Sequence, residues 1–255
     1  IKASEIAPCA MFELAYLVEK CGFPKGVVSV VTGDAENCAE PLTSHPDIDR
    51  IAFTGGTHTA REIIKNSSNN FAATNLELGG KSPLIVFEDA DIESAANGII
   101  AGNFGASGQS CVAGSRVIVH KNIAQELIKL IEKKAQSIVV GDPLNPKTNL
   151  GPLCTVKQIH LIEETLKKSI EQGGEIIFGG KKIEQDGNYF EPTLIHCPNR
   201  QIETLKVEMF GPVISIIEFD TEKEAIEISN DSKYGLGSGL FTKDLARAHR
   251  VSQEI

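Results

Sequence analysis

The chain has 255 residues, of which 41% are hydrophobic, and it carries a formal net charge of −9. This length is enough for one large domain or two modest ones, each with a sizeable core. Nucleic acids and anionic membrane surfaces attract basic proteins, so the acidic balance disfavours both as partners. We therefore expect a soluble protein that acts on a small molecule.

The six cysteines stand at positions 9, 21, 38, 111, 154 and 197, with no CxxC pair among them. This spacing indicates neither a disulfide framework nor a zinc site, and the histidines show no HExxH pattern, so no metal is expected.

No signal peptide and no bilayer-length apolar run is present, which favours a cytoplasmic location. The chain opens with "IKASE", without Met, and closes in a helical pattern, which predicts an internal piece of a longer protein.

Short runs rich in branched residues alternate with amphipathic segments in the first part of the chain. Helices are predicted over residues 8–21, behind a first-turn proline, and 57–66. Strands are predicted over residues 27–31, 48–53, 74–78 and 84–87. Alternation of strands and helices predicts a parallel sheet covered on both faces.

A second α/β unit is predicted further along the chain. Apolar positions 123, 127, 130 and 131 fall on one helical face, and positions 159, 162, 166 and 170 repeat this pattern before a glycine pair. The runs "EIIF", "VISIIEF" and "SGLFT" are typical of strands.

Cys111 lies in the stretch "GASGQSCVAGSR", among residues too small or too polar to bury a thiol. Most cysteines in globular proteins are small buried hydrophobes, and the other five receive that interpretation. Around Cys111, glycines and alanine leave room beside the sulfur and allow backbone amides to approach a substrate. A carbonyl attacked here would become an oxyanion, which a neighbouring backbone N–H can stabilise.

Two further motifs contain candidate functional residues. Glu77 in "LELGGKSP" follows an apolar strand and precedes a glycine pair, a position from which a carboxylate can project into a cleft. Such a carboxylate can activate water to release a thioester, although a strand-end Glu more commonly faces solvent. In "EMFGPV", Glu208 and Phe210 bracket a methionine before a Gly-Pro turn; the alternative is a loop in which Phe210 simply packs.

With "FTGGT" at residues 53–57, these motifs occur in an order that resembles the aldehyde dehydrogenase superfamily, along the whole chain. The resemblance implies part of a Rossmann-like, parallel-sheet cofactor domain over residues 1–79, followed by an α/β catalytic domain over residues 80–255. It also implies that the family's N-terminal segment, with its oxyanion-hole Asn, and its C-terminal segment lie outside this chain. A full-length homo-dimer or homo-tetramer is implied as well.

The resemblance implies NAD-dependent oxidation of an aldehyde to a carboxylic acid. In the family, the residue matching Cys111 attacks the aldehyde to form a thiohemiacetal, a thioester follows hydride transfer, and the residue matching Glu77 activates the water that hydrolyses it. The backbone amide of Cys111 supplies half of the oxyanion hole. Glu208 matches the residue that binds the ribose beside nicotinamide, and Phe210 matches one that packs there.

The resemblance also assigns the adenosine side of the cofactor. Lys2 and Glu5 match positions that bind the adenine ribose, and a carboxylate there would repel a 2′-phosphate, which favours NAD over NADP. The cofactor-binding residues of the next two motifs would be Phe53, Thr54, Gly55, Gly56 and Leu78. The glycines bring a helix N-terminus towards the pyrophosphate, and Gly56 stands where many relatives have Ser.

Three alternatives remain open. The first is an inactive dehydrogenase scaffold that binds a partner. The second is a coenzyme A-acylating relative, and the third is a Cys–His hydrolase. The presence of both Cys111 and Glu77 disfavours the inactive scaffold, and Glu77 disfavours the coenzyme A-acylating relative, which does not need a water-activating carboxylate. Ser110 and Val112 flank the nucleophile and would shape the end of a substrate tunnel, but the aldehyde itself is not predicted.

Overall fold

The computed structural model describes all 255 residues and divides the chain into two compact units, Ile1–Leu78 and Gly79–Ile255. The elements of the first unit are α1 (Cys9–Lys20), a π-helical turn (Ala35–Ala39), α2 (Glu40–Ser44), β1 (Arg50–Thr54), α3 (Thr57–Ser67) and β2 (Ala73–Glu77). Strands β1 and β2 pair in parallel, with Thr54 opposite Glu77. The predicted helices and the strands at 48–53 and 74–78 are confirmed, with shifts of one or two residues at their ends.

The predicted strand over residues 27–31 is wrong. Only Val31 of this run takes part in pairing, in a single bridge to Lys2. Two hydrogen bonds hold that bridge, from the Ala3 N–H to the Val31 carbonyl and from the Val31 N–H to the Ile1 carbonyl. High β propensity does not make a strand without a neighbouring ladder, and here the available partner is one short segment.

The second unit contains a six-stranded sheet. Its elements are β3 (Pro83–Val86), α4 (Ile92–Phe104), β4 (Arg116–His120), α5 (Lys121–Ala135), α6 (Val156–Glu171), β5 (Glu175–Phe178), β6 (Thr193–His196), β7 (Val213–Phe219), α7 (Glu222–Asn230), β8 (Gly239–Phe241) and α8 (Leu245–Ser252). The strand order is β5-β6-β7-β4-β3-β8, and only β5 runs antiparallel to its neighbour. The five helix and strand predictions beyond residue 120 are confirmed as α5, α6, β5, β7 and β8.

Helices cover both faces of this larger sheet. Strand β4 shows the alternation directly, because Ile118 joins the core formed with α6 and α7, whereas Val117 and Val119 join the core formed with α4 and α5. The sheet covered on both faces is therefore confirmed for the second unit. In the first unit the parallel pairing is confirmed, consistent with a Rossmann-like cofactor domain, but its sheet has two strands and α1 has no buried residue, so coverage of both faces is not observed there. None of the helices is both long and apolar enough to cross a bilayer.

Candidate functional site

Four neighbouring strands of the second unit, in the order β7-β4-β3-β8, run parallel to one another. The segments that lead into parallel strands meet at the same edge of a sheet. At this edge lie residues 208–212 before β7, 108–115 before β4, 79–82 before β3 and 234–238 before β8. The second-unit residues singled out in the sequence therefore gather in one place.

Cys111 lies in the connection between α4 and β4, residues 105–115, here called the Cys111 turn, and its thiol is partly exposed. Its main-chain N–H donates to no acceptor within the protein, whereas the Ala113 N–H closes the turn by donating to the Ser110 carbonyl at 3.1 Å. Val112, beside it, is 56% exposed. The turn thus presents a thiol and an unused N–H donor side by side.

Gly80 is the point at which the segment before β3 meets the Cys111 turn. A Cβ placed on Gly80 would lie 2.3 Å from the Cys111 carbonyl oxygen and 3.4 Å from the Leu236 Cβ. Contacts this short exclude any side chain, so glycine here is a requirement of close backbone approach.

The carboxylate of Glu208 docks on the same glycine pair. The Gly80 N–H donates to Glu208 Oε1 at 2.9 Å, and a Cβ on Gly79 would lie 2.0 Å from Oε2. The two glycines therefore contact both the Cys111 turn and the Glu208 carboxylate. The structure brings Cys111 and Glu208 together through the backbone of "GG" in "LELGGKSP".

Phe210 and Met209 have opposite environments in the segment before β7. Met209 is 2% exposed, and its carbonyl accepts a hydrogen bond from the side-chain amide of Gln158. Phe210 is 38% exposed and has a positive φ of 49°. The residue that packs into the core is Met209, and the backbone turn directs Phe210 outward.

Lys81 is a buried cation that the sequence interpretation missed. Its side chain is 2% exposed, and Nζ has no hydrogen-bond partner. Burial, followed by the charge of Arg116, lowers its pKa from 10.5 to about 7. The Arg116 guanidinium donates to the carbonyls of Lys81, Ile228 and Ser229. The one signal in the sequence for this burial is the position of Lys81 between a glycine pair and an apolar strand.

Glu77 ends β2 in the first unit, and its side chain is exposed and makes no hydrogen bond. Its carbonyl accepts the Gly55 N–H at 3.0 Å, which ties the end of β2 to the "FTGGT" turn. The ring of Phe53 covers Gly55, where a Cβ would lie 2.5 Å from Phe53 Cζ. Leu78, the next residue, is half-buried.

Gly56, which follows Thr54 and Gly55, is the N-cap residue of α3. No side chain caps this helix, and no atom lies within 4 Å of a Cβ placed on Gly56. The first-turn N–H groups of a helix need an acceptor from outside the helix. This open, uncapped end has the donors and the space that a phosphate group needs.

Lys2 and Glu5 form an ion pair of 2.9 Å in the first unit. The hydrogen bond from Lys2 holds the pKa of the Glu5 carboxyl below its ordinary value. Glu5 remains 60% exposed, so its carboxylate is available to a ligand. No group of three or more His, Cys, Asp or Glu side chains in the structure is arranged to hold a metal ion.

Comparison with known proteins gives consistent matches over the whole chain. The profile of the aldehyde dehydrogenase family matches residues 1–255. The chain is 46% identical to (Z)-2-((N-methylformamido)methylene)-5-hydroxybutyrolactone dehydrogenase of Acinetobacter baylyi over 100% of its own length and 52% of that protein. It is 37% identical to betaine aldehyde dehydrogenase of Rhizobium leguminosarum, again over all of its length and 53% of the relative.

Solved structures agree with these matches. The crystal structure of PnpE in complex with nicotinamide adenine dinucleotide has a TM-score of 0.97 and 42% identity, covering 100% of this chain and 53% of PnpE. PnpE comes from Pseudomonas sp. WBC-3. Betaine aldehyde dehydrogenase from Staphylococcus aureus, in complex with NAD+, has a TM-score of 0.96 and 35% identity, covering 100% of this chain and 51% of that protein. The chain thus spans about half the length of these relatives.

Proposed function

Because the chain belongs to the aldehyde dehydrogenase family, we propose that the full-length protein oxidises an aldehyde to a carboxylic acid with NAD, through a covalent intermediate on Cys111. The observation that carries the proposal is the environment of Cys111. Its partly exposed thiol and its unused main-chain N–H lie on one turn, beside a glycine pair that also holds the Glu208 carboxylate. A nucleophile next to an oxyanion donor is the arrangement that acyl chemistry needs.

The reaction begins when the Cys111 thiolate adds to the aldehyde carbon. The new C–S bond moves the carbonyl electron pair onto oxygen, and the Cys111 N–H donates to the resulting oxyanion. Bound NAD would supply the hydride acceptor for this carbon, and the electron pair on the oxyanion re-forms the C=O bond as the hydride leaves. What remains on Cys111 is a thioester.

Release of the acid requires a base. The Glu77 carboxylate, exposed and without a hydrogen-bond partner, takes a proton from water, and the resulting hydroxide attacks the thioester carbon. The C–S bond breaks, the carboxylic acid leaves, and the electron pair returns to the Cys111 sulfur. Because water accepts the acyl group in this step, the proposed reaction differs from that of a coenzyme A-acylating relative.

From the family resemblance, residues 1–79 are proposed as the C-terminal part of the NAD-binding domain and residues 80–255 as the catalytic domain. Lys2 and Glu5 would hold the adenine ribose. The uncapped end of α3 would face the pyrophosphate, and Glu208 and Phe210 would hold the nicotinamide side. The other residues assigned to cofactor binding are Phe53, Thr54, Gly55, Gly56 and Leu78. The exposed Glu5 carboxylate favours NAD over NADP, since it repels a 2′-phosphate.

The aldehyde, the assembly and the location are not specified by these contacts. A small-molecule aldehyde is proposed as substrate, with Ser110 and Val112 beside it. A homo-dimer or homo-tetramer is proposed from the resemblance, and a cytoplasmic location from the unpaired cysteines.

The test of this function is Cys111→Ala in the full-length protein, with Cys154→Ala as the matched control. Cys154 is exposed, so the buried position expected for it is wrong, as it is for Cys9 and Cys21. NADH formation is measured with a panel of aldehydes, and NAD binding by fluorescence. We expect Cys111→Ala to abolish turnover and to keep NAD binding, because the thiol takes part in the chemistry. Turnover that survives the substitution, or an inert wild-type protein, would favour a hydrolase or an inactive scaffold.

A further inference from the structure

The turn that carries Cys111 begins with three residues in left-handed backbone conformation. Ala106 and Ser107 have φ values of 50° and 57°, and Gly108 has 71°. Residues with a side chain rarely adopt such values, and they persist only where surrounding contacts enforce them. Gly108, the third of these residues, packs closely against another segment, because a Cβ on it would lie 2.2 Å from the Gly211 carbonyl oxygen.

Two side chains of this turn hold it to the segment between residues 151 and 154. The Ser107 hydroxyl donates to the Gly151 carbonyl at 2.9 Å. The Cys154 N–H donates to the side-chain oxygen of Gln109 at 2.9 Å. Ser107 is 7% exposed, so the first of these bonds is also shielded from water.

The segment that receives these bonds is itself firmly held. Leu150 and Leu153 are 1% and 3% exposed, and both belong to the cores of the second unit. The Leu153 N–H donates to the Asn188 carbonyl at 2.8 Å. The two side-chain bonds therefore tie the strained turn to a part of the fold that packing keeps in place.

Cys111 makes no side-chain hydrogen bond of its own. Neither its thiol nor its main-chain N–H is held by another residue, so the backbone of the turn determines where the sulfur lies. We propose that Ser107 and Gln109 are positioning residues, which hold the left-handed turn and thereby place Cys111 for attack. The kinetic part of this inference rests on the proposed function.

The test uses Gln109→Met in the full-length protein, because methionine keeps the length of the side chain and removes the acceptor. Gln172→Met is the matched control: Gln172 accepts the Glu203 N–H at 2.7 Å in the same unit, away from the turn. Misplacing a reacting group by about 1 Å costs roughly 10²-fold in rate, so we expect kcat to fall about 10- to 100-fold in Gln109→Met. The control and the KM for NAD should stay within about twofold of wild type.

A second measurement reports on the turn directly and does not need an aldehyde; circular dichroism on the same samples confirms that each variant is folded. The rate of Cys111 alkylation by iodoacetamide is followed by peptide mass spectrometry on the alkaline plateau, where the thiol is fully ionised. A loosened turn should raise this rate about threefold or more in Gln109→Met while kcat falls. Ser107→Ala should change both quantities in the same directions.

Equal kcat and equal alkylation rates in Gln109→Met and Gln172→Met would overturn the positioning role. A parallel loss of turnover and of alkylation in Gln109→Met would also overturn it, because a loosened turn makes the thiol more accessible and not less. A wild-type protein without dehydrogenase activity would contradict the proposed function, and the alkylation comparison would still decide the role of the two side chains.

Discussion

At the scale of single residues, the glycine pair Gly79 and Gly80 connects the Cys111 turn with the Glu208 carboxylate. The small residues around Cys111 were readable in the sequence, because small size is a property of the residue type. The contacts between the backbone segments that precede these strands could not be predicted from the sequence, because they depend on the order of β7, β4 and β3 in the sheet. Lys81 was missed for a related reason: lysine is normally exposed, and only the packing of the sheet shows that it is buried.

Burial of Lys81 predicts a specific pH dependence of stability. Its pKa is about 7 in the folded protein against 10.5 when unfolded. Below pH 7 both states are protonated, and the cost of burying the charge is present in full. Between pH 7 and 10.5 the unfolded state binds more protons, so stability rises with pH, by roughly 5 kcal/mol as an upper bound.

Lys81→Met removes this titration. The variant should be more stable than wild type near pH 7, and the difference should shrink as pH rises towards 10. Urea unfolding at several pH values measures it, with Lys133→Met as a control at an exposed position. A difference that does not change with pH would show that Lys81 finds a charge partner in the full-length protein.

Glu5 provides a separate prediction about cofactor choice. Glu5→Gln removes the charge that would repel a 2′-phosphate and leaves Lys2 without its ion pair. The ratio of kcat/KM for NADP to that for NAD should rise by about tenfold or more, as expected when a repulsive element is removed. Glu13→Gln, at an exposed position on α1, should leave the ratio unchanged. The same ratio in Glu5→Gln and wild type would contradict the assigned role.

At the scale of elements, the sequence predicted α1, α3, α5 and α6 but not α4 or α7, and it predicted every strand except β4 and β6. The periodicity of α5 and α6 was clear, because each presents a wide apolar face to the sheet. Strands β4 and β6 are short and almost fully buried, so they lack the alternation that marks a half-buried strand. The strand prediction for residues 27–31 was wrong for the opposite reason: the β propensity of the run is strong, but no neighbouring strand pairs with it.

Two glycines of neighbouring elements should respond oppositely to alanine. Gly108→Ala forces a Cβ to within 2.2 Å of the Gly211 carbonyl at a φ of 71°, and should cost about 1–3 kcal/mol of stability. Gly102→Ala, inside α4 with no atom within 4 Å, should gain up to about 1 kcal/mol. Chemical unfolding of both variants provides the measurement. Destabilisation by both, or by neither, would contradict the packing described for Gly108.

At the scale of the whole molecule, the chain comprises two units and about half the length of its relatives. The sequence motifs were sufficient to identify the family, because their order and chemistry are specific to it. The finer domain roles, the aldehyde and the assembly depend on the full-length protein, and these remain proposals.

We propose that an aldehyde is oxidised as a covalent adduct of Cys111, which water then hydrolyses with the help of Glu77. Glu77→Gln keeps the shape of the side chain and removes the base, which is typically worth about 10²- to 10⁴-fold in rate. Rapid mixing of this full-length variant with NAD and an aldehyde measures NADH over time, and mass spectrometry measures the adduct. We expect a burst of at most one NADH per active site, slow turnover afterwards, and an acyl group on Cys111. Unchanged steady-state turnover, or a slowed burst without any adduct, would contradict it.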